Sequence, residues 1–309
     1  MISVRGKTSA DKIRWGILGT GKIARQFAQG LAVLPDAELL AVGSRSQTSA
    51  DKFGKEFGVP RRYNSYAELA ADPDVHVVYV GTPHPIHREN TLLCLNHGKA
   101  VLCEKPFAMN VKEAEEMIAC AKGKNLFLME AMWTHFFPAV KEALRLIQKG
   151  KIGEVRMVKA DFCFRARWEP EERLLNSALG GGGLLDVGVY TIALADLVFP
   201  VEPRSVHAVA HIGETGVDEQ AAIVMGYRDG AVAVLTCAVR TTTPHEATIF
   251  GTEGWIRIPS PFWQPDSIFL HRDDSEKEIS FKRLGNGYSY EAEEVMQCLR
   301  DKRRESSTM

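Results

Sequence analysis

Residues 13–24 read IRWGILGTGKIA, and this stretch decides the fold. The short apolar run from Ile13 to Leu18 predicts a buried strand that ends at a glycine. The turn that follows has the pattern GxGxxA, and apolar residues at helical spacing from Gly21 onward predict a helix. A strand, a glycine turn and a helix in this order are typical of a dinucleotide-binding unit. The alternative is a plain tight turn between a strand and a helix.

The residues of this turn have distinct parts in dinucleotide binding. Gly19 permits the tight turn, Gly21 lets a pyrophosphate approach the backbone, and Ala24 lets the helix pack closely on the sheet. The start of the helix offers N–H groups and a partial positive charge to the phosphates. We therefore expect the following residues to bind a cofactor: Gly19, Thr20, Gly21, Lys22 and Ile23.

Two kinds of pattern divide the chain. Strand and helix patterns alternate through residues 1–129, which predicts a Rossmann domain with a doubly wound parallel sheet. Residues 130–309 begin with a helix and continue with β-rich stretches, some separated by turn pairs such as Asp229-Gly230. This second pattern predicts an α+β domain with an open, mostly antiparallel sheet. The expected fold class is therefore α/β, with two domains.

Composition excludes several classes of protein. The chain has 309 residues, a hydrophobic content of 45% and a formal net charge of -1, so a nucleic-acid or membrane-surface partner is not expected. No stretch has the roughly 18–20 uninterrupted apolar residues of a spanning helix, and Met1 to Lys12 lacks the apolar centre of a signal peptide. The six cysteines are scattered, which is typical of reduced thiols in a cytoplasmic protein.

The residues after the second predicted strand favour NADP over NAD. An NAD site usually has Asp or Glu at this point to hold the ribose 2′-hydroxyl. Here the stretch contains Ser44 and Arg45, so an arginine and a serine are available for a 2′-phosphate. The alternative is that Arg45 is a solvated loop residue.

Two further motifs contain candidate catalytic residues. Glu104 and Lys105 lie at the carboxyl end of a predicted parallel strand, where a partly desolvated lysine is suited to proton transfer. Asp186 and Tyr190 follow a run of four glycines and lie four residues apart, so on a helix they share a face. A carboxylate and a phenol on one face suit a hydroxylated substrate. The alternatives are a surface Lys-Pro turn, a helix-dipole aspartate and a core tyrosine.

Histidines and aromatic residues add candidates for the same site. Thr82 and His84 follow another strand tip, so we expect them to border the cofactor. His84 and His87 have no further ligands at a recognisable spacing, so no metal site is expected. Trp133 and Phe136 are candidates for a substrate pocket, although aromatic residues at such spacing are more often core.

In combination these motifs resemble the Gfo/Idh/MocA family of oxidoreductases, from about Ile13 to Leu299. The resemblance rests on the GxGxxA turn, the Thr-Pro-His stretch, Glu-Lys-Pro followed by Asn110, and the glycine-rich Asp-x-Gly-x-Tyr motif. Residues 129–138, and Tyr190 where many members have histidine, resemble the branch of dimeric dihydrodiol dehydrogenases and NADP-dependent D-xylose dehydrogenases. Residues 288–292 fit the same branch.

The resemblance implies roles for individual residues. Lys105 and Tyr190 would handle the proton, Asp186 would hold substrate hydroxyls, and the peptide before Pro106 would be cis. The open sheet would form a homodimer face. Two departures stand out, because the branch usually has arginine in place of His135, and because relatives continue past residues 304–306 into a further helix, which implies a truncated C-terminus.

The leading hypothesis is an NADP-dependent dehydrogenase that oxidises a sugar or a vicinal diol, of the D-xylose or trans-dihydrodiol type. The same residues serve both directions, so an NADPH-dependent reductase of a keto-sugar stays open. A non-catalytic NADP-binding regulator is a third hypothesis, although such proteins tend to lose the lysine. A glycosidase that oxidises its substrate transiently on a held nicotinamide comes last, because Tyr190 stands where such relatives have histidine.

Overall fold

The structure is a computed structural model that describes residues 12–308. The expectation about a signal peptide concerns Met1 to Lys12, and all but the last of these residues lie outside that range. The chain divides into two compact units: one contains the residues up to Ala131 together with Leu284–Ser307, and the other contains Met132–Arg283. The functional division at residues 129 and 130 stays a prediction, since these units are defined by packing alone.

The first unit contains a six-stranded sheet with the strand order β3-β2-β1-β4-β5-β6. All neighbouring strands in it are parallel. Its strands are β1 (Ile13–Leu18), β2 (Ala37–Gly43), β3 (Arg61–Tyr63), β4 (Val77–Val80), β5 (Ala100–Glu104) and β6 (Leu128–Ala131). Helices follow successive strands: α1 (Lys22–Leu31), α2 (Gln47–Phe57), α3 (Tyr66–Ala71), α4 (His87–Asn96) and α5 (Val111–Lys124). The prediction of a doubly wound parallel sheet is confirmed.

The second unit contains an eight-stranded sheet with the order β14-β13-β12-β11-β7-β10-β9-β8. Its strands are β7 (Val155–Cys163), β8 (Ser205–Ile212), β9 (Asp218–Gly226), β10 (Val232–Ala238), β11 (Ala247–Gly251), β12 (Trp255–Ile258), β13 (Ser267–Arg272) and β14 (Ser275–Ser280). Its helices include α6 (Pro138–Gln148) and α7 (Val189–Val198). Only the β7–β10 pair is parallel among the paired strands described, so the predicted mostly antiparallel sheet is confirmed.

The hairpin between β9 and β10 forms where the sequence predicted a turn. Asp229 and Gly230 both have positive φ, 60° and 78°, the conformation that a tight hairpin needs and that Asp-Gly pairs tolerate. The strands on either side pair antiparallel, with Val232 opposite Gly226. Short-range turn chemistry therefore determined this part of the sheet.

The last helix, α8 (Tyr288–Arg300), lies in the first unit beside α1. Gly30 permits the close approach, because a Cβ at that position would lie 2.8 Å from Cβ of Tyr288. The amide of Asn286 adds a hydrogen bond to the carbonyl oxygen of Gln26 at 2.8 Å. The chain thus returns, about 150 residues after leaving, to the unit in which it began.

One helical stretch, Ser177–Val198, is long and apolar enough to cross a membrane by length and composition alone. It comprises short helical turns and α7, and 56% of its most apolar 18 residues are buried inside the protein. The core helix of a globular protein passes the same test, so the finding is weak evidence for a membrane span.

Candidate active site

The glycine turn after β1 has the geometry that the sequence predicted. Gly19 has a φ of 100°, and a Cβ at that position would lie 2.7 Å from the carbonyl oxygen of Gly81, so no larger residue fits. A Cβ at Gly21 would meet no atom within 4 Å, which leaves open space over the turn. Among the described residues no side chain caps the amino end of α1, and its first turn contains no acidic residue. The turn therefore presents open space and backbone N–H groups of the kind that bind a phosphate.

The turn after β2 contains Ser44 and Arg45. The backbone N–H of Ser44 donates to the carbonyl oxygen of Tyr63 at 3.1 Å, and the side chain is buried. Arg45 is exposed and makes no ion pair with any residue in the described range. Burial raises the pKa of Tyr66, and the nearby charge of Arg45 offsets part of that rise. The guanidinium is therefore available to an anionic ligand at the carboxyl end of β2.

The turns after β4 and β5 are joined by His87. Its Nε2 lies 2.8 Å from the carbonyl oxygen of Thr82, and its Nδ1 lies 2.9 Å from that of Pro106. Burial lowers the pKa of His87, which favours the neutral ring, and a neutral ring donates to only one of these carbonyls. His84 is also buried, with its ring centroid 5.6 Å from that of His87. This contact fixes the predicted cofactor residues Thr82 and His84 next to the Lys105 turn.

Glu104 and Lys105 end β5. The Lys105–Pro106 peptide is cis, as the resemblance implied, and the Lys105 side chain is half-buried. The Glu104 carboxylate accepts the hydroxyl of Tyr79 at 2.5 Å and the backbone N–H of Lys105 at 3.1 Å. Burial raises the pKa of Glu104, and the charge of Lys105 opposes that rise. Glu104 is thus a buried carboxyl directly beside the candidate catalytic lysine.

Glu130, at the end of β6, is a second carboxyl close to this turn. Its Oε1 accepts the backbone N–H of Phe107 at 2.9 Å. Burial raises its pKa to about 7, and the charge of Glu104 adds to the rise. The carboxyl ends of β1, β2, β4 and β5 therefore bring the predicted cofactor residues of the first unit to one edge of the parallel sheet, and Glu130 joins them from β6.

In the second unit, Tyr190 lies in an aromatic cluster. The indole N–H of Trp133 donates to the Tyr190 hydroxyl oxygen at 3.3 Å. The Phe162 ring centroid lies 5.4 Å from that of Tyr190, and Phe162 stacks on Trp263 at 3.6 Å. Trp263 is held in turn by Thr134, whose hydroxyl donates to its carbonyl oxygen at 2.7 Å. A donor to a phenol oxygen stabilises the ionised form, so the Trp133 contact suits a phenol that exchanges a proton.

Asp186 lies four residues before Tyr190, on a π-helical turn, Leu184–Gly188, that leads into α7. The sequence predicted an ordinary helix here, and π turns of this kind occur frequently at functional sites. Arg173 donates from Nη1 to Oδ1 of Asp186 at 2.7 Å. The side chain of Asp186 is 8% exposed and that of Arg173 is 43% exposed. The predicted substrate carboxylate is therefore held by a guanidinium that reaches solvent.

The glycine run before this turn allows two close approaches. A Cβ at Gly181 would lie 2.7 Å from the carbonyl oxygen of Arg173, so the run lets the Arg173 loop pack against it. The Gly182 backbone lies against Asp218, whose carboxylate accepts the N–H of Leu184 at 2.6 Å. The run therefore positions both the loop that carries Arg173 and the amino end of the helical segment.

Phe136 and His135 have core surroundings. Phe136 is 1% exposed and lies 5.5 Å from the Lys141 ammonium, whereas Trp133 lies against Tyr190. Burial lowers the pKa of His135 to about 4, so the ring is neutral at physiological pH. The structure therefore brings Trp133, but not Phe136, into contact with the predicted catalytic tyrosine.

Several residues of these two groups, one in each unit, had no role in the sequence-based prediction: Tyr79, His87, Phe162, Arg173 and Trp263. Each makes at least one contact with a partner more than ten residues away, and no local motif marks such a contact. Within residues 12–308 no three His, Cys, Asp or Glu side chains are placed to hold a metal ion. The absence of a metal from the mechanism stays a prediction.

Comparisons with known proteins identify the family of both units. Residues 13–132 match the model of the oxidoreductase family with an NAD-binding Rossmann fold, and residues 140–257 match the GFO/IDH/MocA C-terminal domain. The chain is 41% identical to the trans-1,2-dihydrobenzene-1,2-diol dehydrogenase of Xenopus tropicalis, over 96% of this chain and 92% of that protein. The Homo sapiens enzyme of the same name is 38% identical, over 95% and 90%.

Solved structures of oxidoreductases superpose on this chain over most of its length. An aldose-aldose oxidoreductase from Caulobacter crescentus, complexed with glycerol, superposes with a TM-score of 0.87 at 27% identity, covering 95% of this chain and 91% of that one. A 3-ketoreductase from Actinomadura kijaniata, with NADP and TDP-benzene, gives 0.83 at 26% identity, covering 94% and 90%. By its two domains, its turns and these relatives, the chain belongs to the Gfo/Idh/MocA family of oxidoreductases.

Proposed function

We propose that this oxidoreductase is an NADP-dependent dehydrogenase that removes a hydride from a sugar or a vicinal diol. The observation that carries the proposal is the Glu104-Lys105 turn at the end of β5, which His87 joins to the turn after β4. That edge of a parallel sheet is where ligands of doubly wound folds bind. The dihydrodiol dehydrogenases related to this chain support a diol, and the structurally similar aldose-aldose oxidoreductase supports a sugar.

The residues of the first unit fit NADP. The open space over Gly21 and the uncapped start of α1 suit a pyrophosphate. Arg45 suits a 2′-phosphate, because it is exposed and the stretch from Ser44 to Ser46 contains no carboxylate that would repel one. We expect Thr20, Lys22 and Ile23 to complete the phosphate site, with NAD as a weaker cofactor.

When bound, a nicotinamide would supply the acceptor for the hydride that leaves the carbinol carbon. Tyr190 takes the hydroxyl proton, with Lys105 as the assisting cation, as the carbonyl forms. The N–H of Trp133 stabilises the phenolate form of Tyr190 through its hydrogen bond to the phenol oxygen. Asp186 orients the substrate hydroxyls, and Arg173 holds the Asp186 carboxylate. Phe136, which is buried, would support the pocket only as part of the core behind it.

The reverse reaction is the second candidate. The similar 3-ketoreductase, whose complex contains NADP, favours an NADPH-dependent reductase of a keto-sugar. In that direction Tyr190 donates the proton to the forming alcohol and the same residues act. A non-catalytic NADP-binding regulator is a weaker candidate, because the chain has both Lys105 and Tyr190.

We further propose that the protein is a cytoplasmic homodimer. One face of the second sheet exposes valines between polar residues such as His207: Val209 on β8 is 78% exposed and Val224 on β9 is 43% exposed. Val232 and Val234 continue this face on β10 and are partly buried. Exposed apolar patches rimmed by polar residues mark interaction sites, and a second copy of the sheet is a complementary occupant. All six cysteines are free, which is consistent with a reducing compartment.

The test is NADP reduction, followed by absorbance, with D-xylose, D-glucose, inositol and a trans-dihydrodiol as substrates. Lys105→Met should reduce turnover by at least a hundredfold while NADP still binds, because general acid–base catalysis contributes about 10²–10⁴-fold. Lys112→Met, at an exposed position on α5, is the matched control. Full activity of Lys105→Met would exclude the mechanism. If no substrate of the panel is oxidised, while NADP binds and keto-sugars are reduced with NADPH, the result would establish the reverse direction.

A further inference from the structure

Helix α8 places a carboxyl group inside the first unit. Glu291 is 0% exposed, and neither of its carboxyl oxygens has a hydrogen-bond partner among the described residues. The helix has little freedom to withdraw it, because Gly30 of α1 lies directly against Tyr288, one turn before Glu291. A buried carboxylate without a partner is strongly unfavourable, so such a group keeps its proton.

The charged neighbour of Glu291 is Glu104, from the active-site turn. Burial raises the pKa of Glu291 well above its usual value, and the negative charge of Glu104 adds to the rise. The two carboxyls differ in their surroundings. Glu104 accepts the hydroxyl of Tyr79 and the N–H of Lys105, and it lies beside the Lys105 charge. These contacts favour a charge on Glu104, whereas nothing described favours one on Glu291.

We propose that Glu291 is a positioning residue of the active site, which holds the single proton of a buried Glu104–Glu291 pair so that Glu104 alone is charged beside Lys105. The pair is thus an acid and a carboxylate at neutral pH, and it fixes one negative charge next to the lysine. Through Glu291, α8 thereby sets the charge at the end of β5. The importance for catalysis rests on the proposed function of Lys105.

Other ionisable groups surround the pair. Tyr79 faces it from β4, Lys105 follows β5, and Tyr288 lies on α8 itself. Glu130, on β6, lies near Glu104. Tyr79 remains protonated, because burial and both carboxyls raise its pKa well above the usual value. Glu130, with a pKa of about 7, is ionised above pH 8 and does not obscure the protonated acid in an experiment there.

The direct test is infrared spectroscopy of the intact protein at pH 8 to 9, where exposed carboxyls are ionised. We expect the C=O stretch of one protonated carboxylic acid, shifted in D₂O, in the wild type. Glu291→Gln should remove the band, while Glu104→Gln should keep it. Glu293→Gln, at an exposed position on the same helix, is the matched control and should also keep it. A wild type without the band, or a band lost in Glu104→Gln and kept in Glu291→Gln, would overturn the proposal.

Stability against pH gives a second, independent test. The folded-state pKa of Glu291 lies above its unfolded value, so folding takes up a proton once the pH exceeds about 4.3, the ordinary pKa of Glu. Below that pH the carboxyl is protonated in both states, so it does not lower the stability of the fold. As the pH rises from there towards the folded pKa, the unfolded state ionises while the folded state keeps its proton, and the stability of the fold falls. The folding equilibrium constant should fall up to about tenfold per pH unit from this one group. Glu291→Gln should lack that component, measured by hydrogen exchange of β5 peptides. An unchanged slope would overturn the proposal.

The link to Lys105 has its own readout. At high pH the loss of the Glu291 proton places a second negative charge beside Lys105. We therefore expect this ionisation to contribute to the alkaline limb of the wild-type profile of kcat against pH. Glu291→Gln should shift that limb by at least half a pH unit, with NADP affinity within twofold. An unshifted profile, with the infrared band present, would overturn the positioning role. A wild type with the band but no activity in either direction would refute the proposed function instead.

Discussion

Substituting Gly30 by alanine tests how tightly α8 is held against α1. The glycine lies in the last turn of α1, and a Cβ there would lie 2.8 Å from Cβ of Tyr288 and 3.1 Å from the backbone nitrogen of Ser289. Both atoms belong to the rigid start of α8, so no flexible side chain is available to move aside. The alanine must therefore push the two helices apart.

Two opposing free energies set the expected magnitude. Alanine in a helix interior favours folding by about 0.5–1 kcal/mol relative to glycine. Overpacking a tight contact costs about 1–3 kcal/mol. We expect a net destabilisation of about 1 kcal/mol, roughly a fivefold loss in the folding equilibrium constant. Gly123, in the last turn of α5, is the matched control, because a Cβ there would meet no atom within 4 Å. Gly123→Ala should therefore stabilise the protein slightly.

The assay is hydrogen exchange of peptides from α1, α5 and α8, combined with urea unfolding of both variants. Gly30→Ala should lower protection in α1 and α8, and Gly123→Ala should raise it or leave it unchanged in α5. The opposite signs arise from packing alone, since the substitution is identical. If Gly30→Ala were as stabilising as Gly123→Ala, the close approach of the two helices would be refuted.

Three further outcomes are expected. Arg45→Ala should lower kcat/KM for NADP at least tenfold, because hydrogen bonds to a charged group contribute about 1.5–3 kcal/mol, and leave that for NAD unchanged; equal wild-type use of both cofactors would contradict this. Arg173→Met releases Asp186, whose side chain is 8% exposed, and should raise the substrate KM about tenfold, a loss of about 1.4 kcal/mol. Arg173→Lys should recover part of this loss, and an unchanged KM would count against the orienting role. Val209→Glu should convert a dimer into monomers in sedimentation experiments, and a wild type that is monomeric at micromolar concentration would refute the dimer.

The sequence predicted elements whose signals are local. The bounds of β1 agree residue for residue, because it is a mainly apolar run that stops at a glycine turn. The Asp229-Gly230 hairpin was equally accessible, since its two positive φ angles are a property of the dipeptide. Strands with weak patterns were missed. Ser275–Ser280 has the sequence SEKEIS and pairs with β13 at the sheet edge, where polar side chains are tolerated on both faces.

The candidate site was predictable only in part, for the same physical reason. Lys105, Asp186 and Tyr190 stand in motifs, whereas the residues that hold them act across long stretches of chain. His87 reaches Pro106 nineteen residues away, and Trp133 reaches Tyr190 across fifty-seven. No spacing rule links such partners, because their proximity results from the order of strands and helices in the folded unit.

Glu291 lies between these two cases. In α8 the buried positions Tyr288, Ala292 and Val295 recur at helical spacing, and Glu291 falls on the same stripe, whereas Glu293 falls on the exposed face. Helical periodicity alone therefore marks Glu291 as an acid on an apolar face, a conflict that natural sequences retain mainly at functional sites. Periodicity cannot identify the partner across the stripe. That partner is Glu104. Because the partner is a second carboxyl and not a cation, Glu291 cannot form a salt bridge with it. Glu291 is therefore expected to hold a proton and not to carry a charge.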